Sequence, residues 1–244
     1  CAAGMCLFLI FAPMTVFYLN DLTPDQVVLN PDQSKHAARV LRLKQGAVLV
    51  LSDGRGAWHQ GELKSVGKHC EVAIVQRHFQ PPDAYEIHLA VAPTKNMNRY
   101  EWLVEKATEI GMHQLLPFFS NHSERQQLKQ DRVERVVEAA AKQSLRAYLP
   151  NVAVASSFES LMNLDFEGQK FIAHCQDSPR KLLKDSYLLG SNALVLIGPE
   201  GDFSPKEVAM ALDSGFEPIT LGNGRYRTET AALMACHTLH LLNQ

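Results

Sequence analysis

The rhythm of hydrophobic positions changes near residue 80. From Thr15 to Phe79 the apolar residues come in short runs cut by turn residues: VFYL, then AVLVLSDGRGAWHQGELKSV, then HCEVAIVQRHF. Ala47-Val48-Leu49-Val50-Leu51 lies between Gly46 and the Asp53-Gly54 turn, and Gly67 precedes a run in which Val72 and Ile74 alternate. Such spacing predicts strands joined by tight turns, a small β-barrel. One helical stretch interrupts it, SKHAARVLRLKQG, with Ser34 as the expected N-cap and Val40 and Leu41 on one face. Arg39, Arg42 and Lys44 lie near each other on this stretch.

Gln80-Pro81-Pro82-Asp83 reads as a linker, because paired prolines stop strands and stiffen the connection. Beyond it, buried-strand patterns alternate with helical ones. The predicted strands are IHLAVAP, QLLPFF, KFIAHC, NALVLIG and PITL. The predicted helices are NRYEWLVEKATEIG, with Gly111 just past its end, DRVERVVEAAAKQSLRAYLP, SPKEVAMALDSG and TETAALMACHTLHLL. Strands separated by helices imply a mostly parallel α/β sheet covered on both faces.

Composition narrows the class. The chain has 244 residues, 46% hydrophobic and 20% charged, enough for one large or two modest domains. Five scattered cysteines without a CxxC pair argue against a disulfide scaffold or structural zinc and for a reducing, cytoplasmic setting; no metal is expected. Residues 1–13 hold an apolar run too short to span a bilayer and lacking a basic flank. We read them as upstream or expression-derived sequence, with the protein starting at Met14. Net charge is −2 overall. Residues 1–82 hold eight basic and six acidic side chains, the rest sixteen and twenty, so any RNA-binding face is local and better placed in the first part.

Two loops stand out. In ALVLIGPEGDFSPKEVAMA a strand ends at Ile197, Gly198 to Phe203 turn, and Ser204, Pro205 and Glu207 form a capping box for a helix. The box explains those three residues but not two glycines around Pro199-Glu200 at the carboxyl edge of a parallel sheet, where open α/β sheets bind ligands. LGNGRYRTETAA repeats the design: Gly222-Asn223-Gly224 follow a strand, and Thr228 or Thr230 is the expected cap of the final helix. A cap leaves Arg227 unexplained, since a cation at a helix N-terminus opposes the dipole, so Arg227 is expected to have an anionic partner. GxGxxG, GxxxxGK[ST], HExxH and GxSxG are all absent, which disfavours a Rossmann dehydrogenase, a P-loop enzyme, a zincin and an α/β-hydrolase. His237 and His240 lack a third ligand and are expected in core or interface, while Trp102 and Trp58 are expected to pack.

The pair IGPEGDFS and LGNGRYRTETAA, together with HAARVLRLKQG, KNMNRYEWLVEKATEIGMHQLLPF and EAAAKQSLRAYLP in that order, resembles the family that methylates N3 of a uridine in 16S ribosomal RNA. That family belongs to the SPOUT-type knotted methyltransferases that use S-adenosylmethionine. The likeness runs from about Met14 to the end. It departs at Asp202, where the family's loop has a second glycine, and between Gly222 and Arg227. The resemblance implies a PUA-like RNA-binding β-barrel over residues 14–80 and a trefoil-knotted methyltransferase domain over 84–244. It also implies a homodimer, cytoplasmic, acting on 16S rRNA within the 30S subunit. Carried over by position, the cofactor contacts are His174 and Cys175, Ile197, Gly198, Pro199, Glu200 and Gly201, and Leu221, Gly222, Asn223 and Tyr226. Arg227 is the expected stabiliser of uracil charge, with Glu200 or Glu229 as proton acceptor or as partner to the arginine. Arg39, Arg42, Lys95, Arg99 and Arg146, five of the basic residues in the matched segments, are the expected RNA contacts. The competing readings are a related knotted methyltransferase acting on tRNA or another rRNA position, and a noncatalytic RNA-binding protein.

Overall fold

A computed structural model describes residues 15–244; the expectation for residues 1–13 lies outside them. The described chain forms two compact units, one of residues up to Pro82 together with Lys142–Leu149, the other of Asp83–Ala141 and Pro150–Gln244.

The first unit is the expected small β unit. Strands β1 (Val16–Tyr18), β2 (Gln26–Val28), β3 (Val48–Ser52), β4 (Ala57–Ser65) and β5 (Glu71–Phe79) form one sheet in the order β1-β3-β4-β5-β2. Only β1 and β3 run parallel. Phe17, Leu29, Leu49, Leu51, Leu63 and Val72 fill its core. Gly61 sits where β4 slips register against β5, and a Cβ there would lie 2.4 Å from Val72 Cγ1, so the close approach requires glycine. The helical stretch begins earlier than Ser34. Helix α1 (Pro31–Lys35) is capped by Asn30, whose side chain accepts from Gln33 N while Gln33 returns a bond to Asn30 N. Ser34 is buried inside it, donating to Leu29 O and accepting from Cys70 N. A π-helical turn, His36–Val40, follows, and Arg42 stands beyond it at φ 52°, so Arg39 and Arg42 do not share a regular α-helix.

The second unit is a parallel sheet covered on both faces. Its strands are β6 (Ile87–Val91), β7 (Gln114–Phe119), β8 (Asn151–Val152), β9 (Ser156–Ser157), β10 (Gln169–Ala173), β11 (Lys181–Leu182), β12 (Ala193–Ile197) and β13 (Glu217–Thr220). The order is β11-β13-β10-β12-β6-β7-β8, with β9 also paired to β7, and every pairing is parallel. Alternation along the strands feeds two cores. Ile87, Leu89, Val91, Val195 and Ile197 face helices α2 (Met97–Ile110), α3 (Gln130–Gln143) and α7 (Thr228–Leu242). Ala90, Leu116, Phe118, Leu194 and Leu196 face α4 (Phe158–Met162) and α6 (Pro205–Asp213), while Leu183 of α5 (Leu183–Ser186) joins the first core. Burial of these side chains, each contributing about 1.5–3 kcal/mol, is the main stabilising term.

Three further expectations are corrected. The helix expected to run to Pro150 ends at Gln143; Leu145 takes φ 55°, and Leu145, Ala147 and Tyr148 pack against Val16, Val50 and Trp58 of the first unit. Trp58 packs as expected, but Trp102 stays 47% exposed on α2. Helix α7 starts where expected, yet neither Thr228 nor Thr230 caps it: the N-cap is Arg227, with no side-chain cap bond.

Candidate functional site

The chain passes through β10, β12 and β13 in that order, but the sheet sets them side by side as β13-β10-β12. Parallel strands share a carboxyl edge, so the loops that follow all three emerge together. They enclose a cavity of about 630 Å³, a volume suited to a nucleotide-sized ligand.

The end of β10 and the loop after it contribute Ala173, His174, Cys175 and Arg180; the loop after β12 contributes Gly198, Pro199, Glu200 and Asp202; and the segment from Thr220 to Thr228, with Ala231, closes the remaining wall. Of the residues carried over by position, His174, Cys175, Ile197, Gly198, Pro199, Glu200, Leu221, Gly222, Asn223, Tyr226 and Arg227 all line this cavity. Gly201 and Glu229 do not. Gly201 backs onto His122, whose Cβ would stand 2.9 Å from a Cβ added at Gly201. Glu229, 8% exposed, points its carboxylate at Arg99, Oε1 to Nε 3.8 Å, and so pairs away from Arg227.

Each loop has an identifiable support. Ser204 and Glu207 close the predicted capping box on α6, and Glu207 Oε1 also accepts from Asn121 N at 2.9 Å. Phe203 stacks on Phe118 and lies beneath Gly198, where a Cβ would come within 3.0 Å of its ring. His122 Nδ1 donates to the carbonyls of Gly201 and Asp202. Thr228 donates to Gly198 O at 2.9 Å, tying the start of α7 to the β12 loop. That bond explains why the threonine is not a cap: its hydroxyl reaches across the sheet edge instead.

Electrostatics divides the rim. Arg227 and Arg225 are exposed, and their guanidinium groups have no hydrogen-bond or ion-pair partner among the described residues. Glu200 Oε1 accepts from Lys95 N at 3.0 Å, while Lys95 Nζ pairs with Glu124 at 2.7 Å, which raises its pKa. His174 is buried. Desolvation, aided by the nearby Arg180 cation, pulls its pKa below the ordinary imidazole value, so the ring is neutral near pH 7. Its Nδ1 accepts from Gln176 N, which leaves the proton on Nε2, a buried atom with no protein partner. Among the expected RNA contacts, Arg39, Arg42 and Arg146 belong to the first unit and Lys95 and Arg99 to the second. No cluster of three or more His, Cys, Asp or Glu side chains with metal-site geometry occurs among the described residues.

Arg180 and Arg225 are cavity cations that the sequence pattern alone did not single out, and Arg180 is the less exposed of the two. For Arg180 the signal was available: it is a basic residue in the loop that follows a predicted strand at the carboxyl edge of the sheet.

The likenesses to known proteins agree with this architecture. A sequence profile described as "RNA methyltransferase domain" matches residues 81–240, and one described as "RNA methyltransferase PUA domain" matches residues 29–75. The chain is 26% identical over 238 residues to ribosomal RNA small subunit methyltransferase E of Bacillus subtilis, covering 89% of this chain and 93% of that protein. The crystal structure of a probable rRNA-methyltransferase from Porphyromonas gingivalis aligns with TM-score 0.87 at 38% identity, over 94% of this chain and 98% of that one. Ribosomal RNA small subunit methyltransferase E from Neisseria gonorrhoeae, bound to S-adenosyl methionine, aligns with TM-score 0.83 at 27% identity over the same shares. With both profiles matched in order and a cavity built from three loops of the matched domain, the chain belongs to the RNA methyltransferase family.

Proposed function

We propose that the protein transfers a methyl group from S-adenosylmethionine to N3 of one specific uridine in 16S ribosomal RNA, acting on the small ribosomal subunit in the cytoplasm. The observation that carries this reading is the convergence of three strand-end loops on one cavity with the unpaired Arg227 at its rim. The ribosomal RNA methyltransferases among its relatives, and the S-adenosyl methionine bound to the Neisseria gonorrhoeae protein, support it.

The cavity residues fit such a cofactor. Gly222 has φ 144°, a conformation that side chains disfavour, and a Cβ there would stand 2.9 Å from the Tyr226 hydroxyl. Backbone groups of Gly198 and of Leu221 to Gly224 are therefore bare enough to meet a flat base. The bound cofactor supplies an electrophilic methyl group on a sulfonium centre. The protein must make the uracil nitrogen nucleophilic. Its N3–H lies two to three pKa units above neutral, so ionisation at pH 7 costs about 3–4 kcal/mol at ~1.4 kcal/mol per unit. Arg227 offsets this by pairing with the charge that develops on the uracil carbonyl oxygens. Glu200 is the carboxylate that takes the proton, since Glu229 is turned to Arg99. Holding acceptor and donor in line supplies much of the remaining acceleration. Lys95 and Arg99 on the second unit, and Arg39, Arg42 and Arg146 on the first, hold the RNA backbone. The trefoil threading of the tail and a homodimer belong to the same reading, with an expected mass in light scattering of twice 27.2 kDa.

The direct test supplies the protein and methyl-labelled cofactor with 30S subunits, naked 16S rRNA and tRNA from a strain lacking the activity, then maps the labelled base. Label at N3 of a single 16S uridine is the expected result. Label only in tRNA overturns the substrate, and absence of cofactor binding returns the noncatalytic RNA-binding reading.

A further inference from the structure

The loop between β10 and β11 has a construction that the proposed chemistry does not use. Arg180 lines the cavity half-buried, and it forms no ion pair with any carboxylate among the described residues. Its guanidinium instead donates to two carbonyls of its own loop, from Nη1 to His174 O and from Nε to Ser178 O at 3.3 Å. These bonds fix the plane of the guanidinium without neutralising it. A half-buried, uncompensated cation on a cavity wall calls for an anion from outside the protein.

The loop is also tied down by the one residue that departs from the glycine expected in the β12 loop. Asp202 sits at φ 62°, in the left-handed region where Asp is tolerated but glycine is easier. Its Oδ2 accepts from Cys175 N at 2.8 Å. A second bond, Gln176 Nε2 to Phe203 O at 3.1 Å, runs beside it. The backbone preference given up at Asp202 is exchanged for a carboxylate clasp on the segment that presents Arg180.

We propose that Arg180 is the anchor for the α-carboxylate at the amino-acid end of the cofactor, and that Asp202 is the positioning residue that holds its loop in place. The inference rests on the reading of S-adenosylmethionine as cofactor. It follows from charge placement. The cofactor carries a single carboxylate, and its sulfonium disfavours a neighbouring cation. The other cavity cations, Arg225 and Arg227, are exposed on the segment that follows β13, and Arg227 is already assigned to the uracil. Arg180 is the cation left to the amino-acid end.

Calorimetry on the whole protein separates the possibilities. The probes are S-adenosylhomocysteine, decarboxylated S-adenosylmethionine, which keeps the ammonium but has no carboxylate, and 5′-methylthioadenosine, which has neither. Arg180→Ala is expected to weaken S-adenosylhomocysteine binding about ten- to hundredfold, the range for one charged hydrogen-bonding partner. Binding of the two ligands without a carboxylate should stay within about twofold of the unsubstituted protein, and Arg180→Lys should recover part of the loss. Equal weakening of all three ligands, or no weakening of S-adenosylhomocysteine, overturns the anchor while leaving the cofactor reading intact. Failure of the unsubstituted protein to bind any of them overturns both.

The clasp has its own readout. Cys175 is exposed and free, so its alkylation rate, followed by peptide mass spectrometry, reports the order of this loop. Asp202→Gly should speed alkylation several-fold, and Asp202→Asn, which keeps an acceptor oxygen, should stay closer to the native rate. Identical rates in all three proteins remove Asp202 from the role.

Discussion

Arg227 illustrates how far a single residue can be read. Its place at the mouth of α7 conflicts with the helix dipole, and the structure leaves it exposed and unpaired, with no side-chain cap on the helix behind it. Arg227→Ala should abolish methyl transfer while leaving cofactor affinity within about twofold, measured by single-turnover kinetics beside calorimetry; cofactor binding lost together with turnover would make the residue part of the cofactor site instead. The glycines were legible for the same reason, because a residue without a side chain at a strand end marks close approach. Glu229 was not separable from Glu200 on sequence alone. Adjacency along the chain put Glu229 next to Arg227, whereas the turn of α7 buries its carboxylate toward Arg99 on the neighbouring helix. Thr228 misled in a similar way: threonine at a helix start suggests a cap, and only the assembled sheet edge supplies Gly198 O as the better acceptor.

Elements with a long, strong period were readable to within a residue or two. The strands Gln114–Phe119 and Ala193–Ile197 and the helix Thr228–Leu242 fall where the pattern sets them. The two-residue strands Asn151–Val152, Ser156–Ser157 and Lys181–Leu182 are too short to carry a period and exist because a neighbouring strand pairs with them. The cap of α1 is legible in the sequence, since Asn30-Pro31-Asp32-Gln33 has the capping-box spacing one turn before Ser34. The end of α3 was not, because nothing in DRVERVVEAAAKQSLRAYLP stops the helix at Gln143; packing of the following residues on the first unit does. The capping box of α6 has a measurable worth. Ser204→Ala should cost about 1 kcal/mol, lowering the melting temperature by roughly 2–4 °C. Glu207→Ala should cost more, because it also strands the Asn121 amide. Calorimetric melts of the two variants check the order.

Across the whole molecule, two neutral imidazoles, His174 and His59, link stability to pH. Desolvation lowers both, so each is unprotonated in the fold, while in the unfolded chain it takes a proton near pH 6.5. The unfolded state therefore binds more protons below that value, and stability that is full above pH 6.5 declines as the solution is acidified toward the folded-state values. Urea titrations at pH 8, 7, 6 and 5 should show the midpoint falling over the lower half of this range, with a shallower fall in His174→Gln; a flat midpoint would refute the linkage. The path of the chain between units was the feature least open to sequence reading, since Lys142–Leu149 leave one core for the other without any change in composition. The order in which the sheet receives its strands has a consequence for synthesis. The cavity walls come from residues 173–180, 197–202 and 219–231, and the last of these is made only after Glu217 begins the strand that sits on the far side of β10. A nascent chain still short of that point has two walls and lacks the third. Ligand capture is then a late event in the life of each molecule, and a chain cut before Glu217 carries the β10 and β12 loops yet lacks the segment that closes the cavity over them.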